Sequence, residues 1–135
     1  MARRIYIFCD FNERELPEIK LLCDFLRQSK FIVEFTPKDG ADWNYQLIEE
    51  AIDRCNVFVA GIGLSASCST WLAHEINYAF GLRRLRMRLR PRIFAIRLSN
   101  YSELTFVEKF SKNYPVEWLT ETNYKLLLED SPNRL

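Results

Sequence analysis

Short apolar runs alternate along the chain with segments whose apolar residues recur every three or four positions. RIYIFCD, residues 4–10, predicts a buried strand that ends in a polar loop, DFNERE. ELPEIKLLCDFLRQSK follows, with Ile19, Leu22, Phe25 and Leu26 on one helical face and a proline in its first turn. FIVEFTP reads as a second strand, and KDGADWN carries turn chemistry in which Asp42 caps the next helix. That helix, YQLIEEAIDRC, sets Leu47, Ile48, Ala51 and Ile52 in a stripe. NVFVAGIG is apolar throughout, as suits a central parallel strand covered on both sides. LSASCS is a loop, and STWLAHEINYAF, Ser69 to Phe80, a helix. RRLRMRLRPR then links to a fourth strand, IFAIRLS. ELTFVEKFSKN is a weaker helix, VEWL a short fifth strand and NYKLLLED a last helix.

Strands and helices alternating about five times predict an α/β protein, an open sheet of about five parallel strands with helices on both faces. In such sheets ligands bind beyond the carboxyl ends of the strands. Neither a G-x-G-x-x-G nor a Walker loop lies there. The Gly61-Ile62-Gly63 triplet reads as a tight turn.

One residue breaks the pattern. At ~100° per residue, with Trp71 at zero, Glu75 falls at ~40° and Ala79 at ~80°, inside the apolar arc. His74 and Asn77 take the opposite, wet side. A carboxylate on an apolar face needs a partner or a cavity. The bland reading is a pair with an arginine or a backbone group; the functional one is an acid lining a cleft at the strand ends. Glycoside hydrolysis ordinarily takes two carboxylates. A substrate that brings its own leaving group, such as the nicotinamide of NAD, needs only one, to hold the ribose and stabilise the oxocarbenium charge. Trp43 and Phe11, at two other strand ends, are placed to stack on flat rings.

Composition narrows the class. The chain has 135 residues, the length of one domain, with 19 Lys+Arg against 18 Asp+Glu. A net charge of +1 demands neither a nucleic-acid nor an acidic-membrane partner. No apolar run is long enough to cross a membrane and no signal peptide is evident, so the expected location is cytoplasmic. Cys9, Cys23, Cys55 and Cys68 show no C-x-x-C spacing, and a single histidine excludes a multi-histidine metal site. Cys9 and Cys55 are expected to be buried small hydrophobes.

The order RIYIFCD, FIVEF with TPKDGADW, LIEEAIDRCNVFVAGIGLSAS and STWLAHEINYA resembles a Toll/interleukin-1 receptor (TIR) domain over nearly the whole chain. The resemblance implies a flavodoxin-like sheet forming a single TIR domain over 1–135, excised from a longer protein or triggered by a separate sensor. It also implies NAD+ as substrate rather than a bound cofactor, with Glu75 catalytic. The substrate-binding residues it implies are Asp10, Phe11, Asn12, Trp43, Ser65 and Trp71, with no metal. Self-association is implied through the BB loop, Thr36 to Asn44, of a neighbouring copy. Trp71-Leu72 replaces the Trp-Cys pair common in animal receptors, which points to a bacterial anti-phage effector releasing ADP-ribose or its cyclic form.

Two rivals share the fold class, a TIR that only binds other TIR domains and a nucleoside deoxyribosyltransferase-like enzyme. The latter family usually has a glycine-rich acidic loop before the helix, where this chain has LSASCST. A third rival, a nucleic-acid binder, would rest on six arginines between Arg83 and Arg92, but no recognition motif accompanies them. That run is expected to be solvated or an oligomer contact.

Overall fold

The computed structural model describes residues 3–35, 45–64, 66, 71–85, 91–100 and 104–129, with the backbone alone for residues 11, 71, 83–85, 104 and 105. Five strands form one sheet: β1 (Arg4–Phe8), β2 (Ile32–Phe35), β3 (Val57–Ile62), β4 (Arg92–Arg97) and β5 (Glu117–Leu119). Their order is β2-β1-β3-β4-β5 and every neighbouring pair is parallel. This is the flavodoxin-like doubly wound arrangement. The helices between strands are α1 (Pro17–Gln28), α2 (Tyr45–Arg54), α3 (Trp71–Leu85) and α4 (Leu104–Asn113).

The alternation of side chains along each strand divides the core in two. On one face Tyr6, Phe8, Phe58, Ala60, Ile62, Ile93 and Ala95 meet α2, α3 and α4. On the other Ile5, Ile7, Val57, Val59, Phe94 and Ile96 meet α1 and the C-terminal segment. β3 is buried along its whole length, as its unbroken apolar sequence requires. β2 is an edge strand and is only partly covered. Its Glu34 accepts from the Arg54 guanidinium at 2.5 and 3.0 Å, which ties α2 to that edge. Cys9 and Cys55 are buried as expected, and burial pushes both thiols from 9.0 up to about 12.

Several local expectations are corrected. The DFNERE loop contains a 3-10 helix, Phe11–Glu15, and the last helix is a second one, Tyr124–Leu128, which buries Tyr124 and Leu127. In α1 it is Cys23 that joins Ile19, Leu22 and Leu26 in the buried set, while Phe25 is only half-buried. In α2 the buried arc is Ile48, Ala51 and Ile52, and Leu47, one step round the helix, is 57% exposed. Arg92 does not belong to a solvated run. It is 5% exposed, donates to the Glu129 carbonyl at 2.6 Å and packs over the Phe94 ring. Residues 86–90 lie outside the described residues.

The Gly61-Ile62-Gly63 triplet is not a turn. Gly61 is inside β3, where a Cβ would come 2.7 Å from the Phe8 carbonyl oxygen. Close strand approach, not backbone conformation, therefore requires glycine there. Replacing Gly61 by alanine should lower stability by ~1–3 kcal/mol, the range for overpacking. A fall in the urea midpoint at constant m-value checks this, and an unchanged midpoint would contradict it.

Candidate functional site

The chain passes from β1 out to β2 and back beyond β1 to β3, with α1 on one face and α2 on the other. The winding thus reverses between β1 and β3, and the crevice beyond their carboxyl ends is where doubly wound folds bind ligands. Among the described residues two carboxylates are buried, one at the strand ends and one beneath the sheet.

The first is Glu13, 3% exposed, in the 3-10 helix that follows β1. Its Oε1 accepts the Asp10 amide at 3.0 Å, the return arm of a capping box, and its Oε2 accepts Asn100 Nδ2 at 2.9 Å. Asn100 Oδ1 in turn accepts the Leu64 amide at 3.2 Å. The ends of β1, β3 and β4 are drawn together around one side chain.

The second is Glu75, in the second turn of α3. The helical-wheel expectation holds, since Leu72, Glu75, Ile76 and Ala79 are all buried. The Glu75 carboxylate is 0% exposed, and its Oε1 accepts the Tyr6 hydroxyl at 2.6 Å. Tyr6, itself 1% exposed, projects from the middle of β1 and stacks on Phe58 of β3 at 5.6 Å. One partner of this carboxylate is therefore a strand tyrosine. His74 is not on a wet face as expected: it is half-buried against α2, with Nε2 3.2 Å from Glu49 and its ring edge-on to Tyr45. Asn77 is exposed.

Of the other expected site residues, Asp10 is half-buried beside Glu13 and Asn12 is exposed. Phe11 opens the 3-10 helix and Trp71 opens α3. Trp43, Ser65 and the BB-loop segment 36–44 lie outside the described residues. Among the described residues no cluster of three or more His, Cys, Asp or Glu forms a metal site, and no helix is long and apolar enough to cross a membrane. Cys9 is buried, and that burial pushes its thiol up to about 12, the setting of a packed small side chain. A cavity of 350 Å³ opens on the α1 side, near the end of β2. Its charges are largely mutual: Lys20 pairs with Glu15 at 3.0 Å, Arg27 with Asp24 at 3.7 Å, and Arg14 sits over the Phe35 ring.

No sequence-family model matches the chain, and no curated protein matches it. Among solved structures it is similar to a diflavin flavoprotein A3 from Nostoc sp., at 17% identity and a TM-score of 0.48, over 93% of this chain and 86% of that one. It is also similar to CapF, solved with the inhibitor 3-isopropenyl-tropolone, at 14% identity and a TM-score of 0.44, over 85% of this chain and 28% of that one.

The sequence reading missed Glu13 and Tyr6. Glu13 had a signal, the Asp10-x-x-Glu13 spacing of a capping box. Tyr6 had a weaker one, a hydroxyl inside an apolar strand that burial obliges to find a partner. Tyr6→Phe removes that hydroxyl and should cost ~1–3 kcal/mol, because it withdraws a donor from a buried carboxylate. Chemical denaturation checks this. Stability equal to that of the parent would mean the bond contributes nothing.

Proposed function

We propose that the chain is a TIR-type NAD+ glycohydrolase of bacterial antiviral immunity, with Glu75 as its catalytic carboxylate. The observation that carries the reading is the carboxylate itself, set on the apolar arc of the helix that follows the central strand. The flavodoxin-like strand order, which the TIR resemblance implies, is consistent with it.

In this reading the C1′–N bond of the nicotinamide riboside breaks with its electron pair going to the ring nitrogen, so nicotinamide leaves as a neutral molecule. The oxocarbenium charge left on the ribose is stabilised by the ionised Glu75. Water then adds to C1′ and loses a proton to give ADP-ribose, or an adenine nitrogen adds instead to give the cyclic product. The isolated chain encloses Glu75 against Tyr6, so substrate access is assigned to the assembled state, in which segment 36–44 of a neighbouring copy completes the pocket. A sensor domain or protein would govern that assembly.

One observation favours a second reading, a TIR domain that only assembles. A wholly buried carboxylate hydrogen-bonded to a tyrosine is also what a structural polar pair looks like. Nicotinamide release separates the two. Protein concentrated to drive assembly should release nicotinamide from NAD+, and Glu75→Gln should lower the rate by ~100-fold or more, the scale of losing a major transition-state contact. No release from assembled parent protein, or equal release from Glu75→Gln, would refute the enzymatic reading. Base release from nucleosides instead would favour a deoxyribosyltransferase.

A further inference from the structure

We infer that Glu13 is a positioning residue of the nucleotide-binding crevice, holding the segments after β1, β3 and β4 in the geometry that receives the ligand. The inference rests on the NAD+ reading for its substrate and on the strand-end geometry for its residue.

Three observations converge. Glu13 is almost wholly buried, and paired as a buried acid must be, at the edge of the sheet where the winding reverses and such folds bind ligands. Its two oxygens are used in different directions. Oε1 fixes the Asp10 amide, and so the start of the Asp10–Asn12 segment, while Oε2 fixes Asn100 and through it the Leu64 amide. The third observation is Gly63. A Cβ there would meet Glu13 Oε2 and would come within 2.5 Å of Asn100 Oδ1. The end of β3 is thus kept bare of side chain where the carboxylate and amide pass.

The polarity of this chain of bonds suggests its test. Glu13 accepts twice, and Asn100 donates with its nitrogen and accepts with its oxygen. In Glu13→Gln the new amide still accepts from Asp10, but its NH2 opposes the NH2 of Asn100. Adding Asn100→Asp restores these three bonds, with donor and acceptor exchanged only between positions 13 and 100: the glutamine donates to the aspartate, whose other oxygen accepts the Leu64 amide. Formal charge is conserved as well. A residue that merely stabilises the fold would change the melting temperature and leave the KM of the folded fraction alone.

The experiment measures steady-state nicotinamide release from NAD+ by assembled parent protein, Glu13→Gln, and Glu13→Gln with Asn100→Asp, alongside their melting temperatures. KM should rise about tenfold in Glu13→Gln with kcat changed less than about twofold, and the double variant should recover most of the loss, as misplaced binding groups require. An unchanged KM in Glu13→Gln, or no recovery in the double variant while it remains folded, overturns the inference. If the parent releases no nicotinamide, the enzymatic reading has failed by itself. The crevice is then tested by calorimetric binding of ADP-ribose to the same three proteins. The same order of affinities supports the inference, whereas equal affinities, or no binding by the parent, overturn it.

Discussion

The hydrogen bond between the Tyr6 hydroxyl and the Glu75 carboxylate links the two halves of this molecule's logic. Tyr6 stands in the middle of β1 and stacks on Phe58 of the central strand, so its ring is fixed by the sheet. Glu75 stands on the inward face of α3 among Leu72, Ile76 and Ala79. A carboxylate enclosed in that layer would be costly without a donor, and the tyrosine supplies one at 2.6 Å. The same bond ties α3, which packs on α2 and β3, to β1 as well, and the carboxylate is fully buried.

The polar groups are divided between two levels of the fold. Beneath the sheet, Glu75 and Tyr6 form a short connection through the apolar layer. At the carboxyl edge, Glu13 and Asn100 gather three strand ends, and the bare Gly63 leaves them room. Gly61, one step into β3, permits the close approach to Phe8 that brings the edge together. Sheet packing and the arrangement of the strand ends are consequently coupled here, since Gly61 lets β1 and β3 lie close and Gly63 leaves room for Glu13 and Asn100.

The sequence carried the fold well because its signals are local. Apolar runs of strand length alternate with helical stripes, and β3 announces its central position by having no polar residue from Val57 to Ile62. The inward aim of Glu75 followed from helical pitch alone. What could not be read was its partner, since Tyr6 lies 69 residues away and only the folded sheet brings the two together. Glu13 was overlooked for a different reason. A polar stretch after a strand reads as loop, and the capping-box spacing inside it says nothing of Asn100 87 residues on. Leu47 shows the limit of stripe reasoning: the wheel gives the arc, but the neighbouring helix and sheet decide how much of it is covered.

The most direct test of the account is the structure of the assembled protein with a carbocyclic NAD+ analogue whose nicotinamide cannot leave. Glu75 should then lie within hydrogen-bond distance of the hydroxyls on the ring that replaces the nicotinamide ribose. An analogue bound elsewhere, with Glu75 still enclosed against Tyr6, would contradict the assignment of this carboxylate to catalysis.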